Sequence, residues 1–207
     1  NKYTVQFQSL KIILITMNEL ILATHNKNKV KEFKEICSSV KIISLKELGY
    51  INDIEETGLT LEENALIKAR EIYNYSKKNV ISDDSGLEIE YLNGEPGVFS
   101  ARYAGLNSNS EKNIKKVLKK LKNVKNRRAK FRTVIAYKEK NIERIFCGSV
   151  NGKILENKKG TFGFGYDPIF VPNGYDFSYS QMSIKLKNKV SHRYKAIKKL
   201  IDFINSK

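Results

Sequence analysis

Four stretches of the chain combine residue types that can do chemistry. Thr24-His25-Asn26-Lys27-Asn28-Lys29 is a polar loop between an apolar run and an amphipathic segment. A helix that opens at such a loop offers free backbone N–H groups and partial positive charge, which suit a phosphate. Lys27 and Lys29 add full charges, and Thr24 and Asn26 add donors. The glycine and Gly-Lys-Ser/Thr ending of a Walker A loop are missing, so the pattern also fits an ordinary lysine-rich turn. Ser82-Asp83-Asp84-Ser85-Gly86 places adjacent carboxylates at the expected end of a strand. Neighbouring strand side chains point to opposite sides, so one carboxylate can meet a cation while the other supports the turn. Hard oxygens with few partners suit Mg2+ bound together with substrate phosphates, and Glu55-Glu56 can bring another carboxylate. The bland alternative is an Asp-rich turn.

Gly160-Thr161-Phe162-Gly163-Phe164-Gly165-Tyr166-Asp167-Pro168 alternates glycine with aromatic residues. Backbone can approach a flat ligand there while rings stack on it, and Asp167 can accept hydrogen bonds at a base edge; a packed corner is the other reading. Ser191-His192-Arg193 opens the last helical pattern, with Ser191 as N-cap. His192 and Arg193 in a first turn oppose the usual dipole preference, a local conflict that points to function. No His/Cys cluster supports zinc, and Ser191 beside His192 does not make a triad.

The elements that must position these residues are legible in outline. Glu19–Ala23 reads as a buried strand, and Val30, Phe33 and Ile36 or Cys37 mark one face of the following helix. Lys41–Leu45 reads as a second strand. Thr60-Leu61-Glu62-Glu63 forms a capping box opening a helix with Leu61, Ala65, Ala69, Ile72 and Tyr73 on one face and Asn64 and Lys68 on the next. Asn79–Ser82 and Leu87–Leu92 read as two strands either side of the Asp pair, and Phe131–Tyr137 pairs with Ile142–Val150. Helical patterns follow in Lys112–Lys122 and around Ala196–Ile204. The expectation is a mixed α/β domain.

The 207 residues carry a formal charge of +16, yet residues 1–110 are net −2, 111–140 net +11 and 185–207 net +7. The basic charge thus sits in two lysine-rich helical patterns. Lysine without interleaved aromatic residues makes a poor base-reading surface, so a solvated face is expected and no nucleic-acid partner. No apolar run long enough to span a bilayer occurs. Two cysteines, Cys37 and Cys147, make no disulfide framework and suit a reducing, cytoplasmic setting. Residues 1–16 read as a dispensable extension before Met17, with 17–207 as one catalytic domain.

Taken in order, these segments resemble the inosine triphosphate pyrophosphatase family. The matching motifs are Thr24–Lys29, Glu55-Glu56-Thr57-Gly58, Glu63-Asn64-Ala65 with Lys68-Ala69, and Ser82–Leu87. Gly94-Glu95-Pro96-Gly97-Val98, Ser100–Gly105, Gly163–Pro168 and Ser191-His192-Arg193 complete the series. The resemblance implies Mg2+-dependent hydrolysis of ITP, dITP or XTP to the monophosphate and pyrophosphate by a homodimer. It implies an elongated mixed sheet with flanking helices, in two lobes around a nucleotide-binding cleft. It further implies Asp84 as proton acceptor and metal ligand, Glu56 as second metal carboxylate, and Lys68 as a supporting cation. Thr24, His25, Asn26, Lys27, Asn28, Lys29, Ser85, Phe164, Gly165, Tyr166, Asp167, Lys187, His192 and Arg193 would contact the nucleotide. A 6-keto purine presents an acceptor where adenine presents a donor, so His192 or Arg193 is a candidate selector. His25 stands where the family usually has Gly, which narrows the phosphate loop. Leu186 stands where an acid usually precedes Lys187, so a supporting contact is expected to be missing.

Overall fold

The computed structural model describes residues 19–105 and 109–207. The expectations for residues 1–16 and Met17 lie outside them. Six strands form one mixed sheet in the order β2-β1-β3-β4-β5-β6. They are β1 (Glu19–Leu22), β2 (Lys41–Ser44), β3 (Val80–Ile89), β4 (Arg128–Glu139), β5 (Ile142–Ile154) and β6 (Phe170–Pro172). β1 runs parallel to both β2 and β3, and the remaining pairs are antiparallel. The helices are α1 (Lys27–Ile36), α2 (Leu45–Leu48), α3 (Leu61–Ser76), α4 (Ser110–Lys120), α5 (Ile184–Val190) and α6 (His192–Asn205). The expected mixed sheet with flanking helices is what forms.

Local signals fix several boundaries. Asn26 caps α1 by accepting from the Asn28 and Lys29 N–H groups. The Thr60–Glu63 capping box opens α3, and a second box, Ser44 with Glu47, ends β2 by opening α2. The Asp pair departs from expectation. Residues 82–86 are not a turn between two strands but the middle of one continuous strand, with Asp83 opposite Ile135 and Asp84 opposite Val134. Polar residues survive there because each finds a partner: Ser82 Oγ donates to the Ala65 carbonyl at 2.5 Å, and Ser85 Oγ pairs with Thr133 Oγ1 at 2.7 Å.

Period-two alternation divides the core between the two faces of the sheet. Leu20, Leu22, Ile81 and Ile135 pack under α1 and α6, against Phe33, Ile197 and Leu200. Ile21, Ala23, Val80 and Val134 pack under α3, against Leu61, Ala65 and Ile72. A third cluster fills the far end of β3–β5, with Leu87, Ile114, Phe131, Phe170 and Tyr179. β1 stops at Leu22 beside Ile81, whereas β3 runs on to Ile89. Residues 83–86 therefore have a strand neighbour on one side only. That uncovered edge, just past the carboxyl end of β1, is where a ligand crevice belongs in a sheet of this kind. No helix among the described residues is long and apolar enough to cross a membrane.

Candidate active site

A cleft of about 280 Å³ opens over this edge. Thr24, Asn26 and Lys29 line it from the β1–α1 loop, Glu56 from the following loop, Lys68 from α3, and Asp84 and Ser85 from β3. Phe164, Gly165, Tyr166 and Asp167 line the other end, with Lys187 from α5 and His192 and Arg193 from α6. Of the loop residues, His25, Lys27 and Asn28 do not line the cleft. The exposed His25 ring turns away, its Nε2 2.8 Å from the Asn52 carbonyl oxygen, so it does not narrow the loop.

One end is organised around a buried ammonium. Lys68 Nζ lies 2.5 Å from Glu56 Oε1 and 3.0 Å from Asp84 Oδ1. Burial alone would drive its proton off, but the two carboxylates more than offset this and hold its pKa above the ordinary lysine value. Burial pushes the Asp84 carboxyl above the usual aspartate range, only partly opposed by Lys68 and Lys29. Burial would raise Glu56 too, but Lys68, Lys29 and Arg102 keep it low. Asp83 points to the opposite face, as strand geometry requires. It meets Lys29 Nζ and, at 3.0 Å, Arg193 Nε. Those cations outweigh its burial and hold it well below the usual range.

The other end is an aromatic slot. Gly163, at φ +80°, lets the Phe164 N–H donate to Asp167 Oδ2 at 2.8 Å. The Phe164 ring faces Lys187 Nζ, 4.9 Å from its centroid, and the Arg193 guanidinium at 5.7 Å. His192 stacks on Phe131 with centroids 4.6 Å apart and planes 6° from parallel. Burial, then Arg193 and Lys187, push its pKa well below the ordinary value, so the imidazole is neutral. Its Nδ1 is buried with no partner among the described residues.

Glu32, which the sequence reading passed over, ties the two cations of this end together. Its carboxylate meets Lys187 Nζ at 2.8 Å and Arg193 Nη1, while Lys187 also reaches Asp167 at 2.6 Å. The contact expected to be lost with Leu186 is thus supplied by Glu32 and Asp167. Arg193 spends Nε, Nη1 and Nη2 on Asp83, Glu32 and Ser85. Glu32 left no periodic signal: an acid on the α1 face beside Phe33 looks like any helix-surface glutamate until α5 and α6 fold over it.

Glu56 and Asp84 converge on one ammonium beside an open cleft, so their oxygens can share a cation. Two carboxylates completed by phosphate oxygens and water are an ordinary Mg2+ donor set, and the residues fit it. No group of three or more His, Cys, Asp or Glu residues suited to a metal occurs among the described residues, so a zinc-type cage is not present.

The chain as a whole has similar proteins of known family. The pattern of the Ham1 family matches residues 20–203. The chain belongs to the Ham1 family. The dITP/XTP pyrophosphatase of Christiangramia forsetii is 46% identical over 188 residues, covering 90% of this chain and 99% of that protein. That of Bacillus subtilis is 47% identical over 192 residues, covering 90% and 97%. The Ham1 protein of Staphylococcus aureus superposes with a TM-score of 0.83 at 44% identity, covering 91% of this chain and 99% of that one.

Proposed function

We propose that this Ham1 protein is a Mg2+-dependent nucleoside triphosphate pyrophosphohydrolase that removes dITP, ITP and XTP from the nucleotide pool. The observation that carries this reading is one cleft joining a carboxylate–lysine cluster to an aromatic slot, with a buried imidazole whose Nδ1 has no partner among the described residues. Its relatives named dITP/XTP pyrophosphatases support the substrate class.

In the reaction, a water oxygen joins the α-phosphorus and the bond to the bridging oxygen breaks. Pyrophosphate leaves with the bonding pair, and the water's proton passes to a base. Asp84 is that base: its carboxyl faces the cleft beside Lys68, and burial raises its proton affinity above the ordinary aspartate value. Lys29, with Thr24 and Asn26 beside it at the α1 N-terminus, holds the triphosphate. Mg2+ held by Asp84 and Glu56 with phosphate oxygens would neutralise charge on the reacting phosphates. The purine enters the slot beside Phe164, near Tyr166 and Asp167. His192 is the better placed selector, because three sides of the Arg193 guanidinium are already bonded and those bonds orient it. A donor left unpaired by adenine would reject ATP by orders of magnitude.

We further place the protein in the cytoplasm as a homodimer without a nucleic-acid partner. The free thiols Cys37 and Cys147 fit a reducing compartment. Asp84→Asn is expected to abolish Mg2+-dependent pyrophosphate release from XTP with the fold intact by circular dichroism. Wild-type turnover in that variant, or orthophosphate as the product, would sink the assignment.

A further inference from the structure

Most of the chain's arginines are firmly committed, whereas Arg102 is loosely held beside the cleft. Arg70 and Arg128 make two-bonded pairs with Glu143 and Glu90 at 2.6–2.9 Å. Arg127 donates to three backbone carbonyls, and Arg193 to three side chains. Arg102 makes a single long contact, Nη1 to Glu56 Oε2 at 3.4 Å. Charge-assisted bonds of this type normally close to about 2.7–2.9 Å. Its guanidinium otherwise lies 5.3 Å from the centre of the Phe99 ring, which is itself 51% exposed.

The backbone that carries Arg102 is, by contrast, firmly held. It ends a 3-10 helix over Gly97–Arg102, whose Val98, Ser100 and Ala101 line the cleft. Ser100 Oγ accepts from the Leu87 N–H at 2.9 Å and donates to the Gly97 carbonyl at 2.6 Å. The Ser100 carbonyl accepts from Tyr166 OH at 2.9 Å, and the Ala101 carbonyl from Asn113 Nδ2 at 2.9 Å. A rigid base with a loosely engaged planar cation at its tip is what an oxyanion-binding arginine requires.

Charge balance gives that cation a destination. Glu56 and Asp84 are neutralised by Lys68 and Arg102. When a divalent cation takes the two carboxylates, both side chains lose their counter-charge beside a triphosphate. Lys68 is buried and stays in place, whereas the Arg102 side chain, 27% exposed, can turn.

We propose that Arg102 is a catalytic residue of this pyrophosphohydrolase: parked on Glu56 in the free protein, its guanidinium moves onto the β- and γ-phosphate oxygens and stabilises the departing pyrophosphate. The inference rests on the functional reading above and adds a residue to it. It makes Arg102 a reader of the terminal phosphates and not of the base.

The test compares wild type, Arg102→Ala and Arg102→Lys as full chains. Pyrophosphate and IMP are titrated calorimetrically in Mg2+, and pyrophosphate release from XTP is measured across Mg2+ concentrations. Arg102→Ala is expected to weaken pyrophosphate binding at least tenfold with IMP binding unchanged, and to lower kcat about 100-fold, as for loss of one transition-state hydrogen-bond donor. Arg102→Lys, with the charge but not the fork, should fall between. Unchanged pyrophosphate affinity overturns the proposal. So does equal loss of both ligands, or a rise confined to the half-saturating Mg2+ concentration, which would leave Arg102 merely holding Glu56. If wild type itself releases no pyrophosphate from XTP, the functional reading fails separately, and the titration alone judges Arg102.

Discussion

Glu32 holds two cations of the site, Lys187 and Arg193, on one carboxylate. It is buried and compensates both Lys187 and Arg193. Breaking a buried ion pair from one side leaves uncompensated charge, typically at a cost of about 3–5 kcal/mol. Glu32→Ala is therefore expected to lower stability by about that amount in urea unfolding. Burial would raise the Glu32 pKa, but Arg193 and Lys187 hold it below the ordinary value, and Asp83 is depressed likewise. A depressed folded-state pKa gives stability that is present above the unfolded value, about 4, and lost as pH falls through the folded one. Acid unfolding should thus set in below about pH 4, and Glu32→Gln should flatten that limb. A melting temperature equally pH-sensitive in the variant would remove Glu32 from the account.

Among the elements, α6 matters most, because it brings His192 and Arg193 to the cleft. It can lie on β5 only because Gly148 has no side chain: a Cβ there would fall on the His192 carbonyl oxygen and the Ala196 N–H. Gly148→Ala is expected to lower the melting temperature and to reduce activity on XTP together, since lifting α6 moves both residues. A stable, fully active variant would contradict the packing argument. The α3 cap is a milder case. Thr60→Ala removes one hydrogen bond of a capping box and should cost about 1 kcal/mol. Caps such as Thr60 and Ser191 were readable in the sequence because they are local chemistry. The continuity of β3 was not, since Ser82–Ser85 is polar enough for a turn and is held extended by β4 and α3.

For the whole molecule, the charge of +16 is the conspicuous property. Its largest share lies on and after α4, which buries Asn113, Ile114 and Val117 and turns its lysines outward. Lys120 meets Glu95 at the surface, and Lys116 donates to the Tyr103 carbonyl at 2.5 Å. Within the cleft, Lys29 and Lys68 are matched by Asp83, Glu56 and Asp84. Most of the excess charge therefore lies outside the cleft lining, where it can serve solubility and long-range attraction of an anionic substrate. Fluorescence polarisation with duplex or single-stranded DNA at physiological salt should register negligible binding. Added salt should lower kcat/KM for XTP moderately. Tight, steeply salt-dependent DNA binding would reverse that reading.

The order of the motifs was enough to establish the family resemblance and the candidates Asp84, Glu56, Lys68, His192 and Arg193, and the alternation of strand and helix patterns pointed to the mixed α/β class. Those are matters of residue type, spacing and local capping. Tertiary structure alone decided which of them meet. It turned His25 away, left Lys27 and Asn28 outside the cleft, and brought in Glu32, which no periodicity marks, to pair with Lys187 and Arg193. The physical reason is that ion pairing inside a cleft depends on distance in space. Glu32 and Arg193 lie 161 residues apart in the chain yet share a hydrogen bond, and only the packing of α1 and α6 on one face of the sheet brings them together.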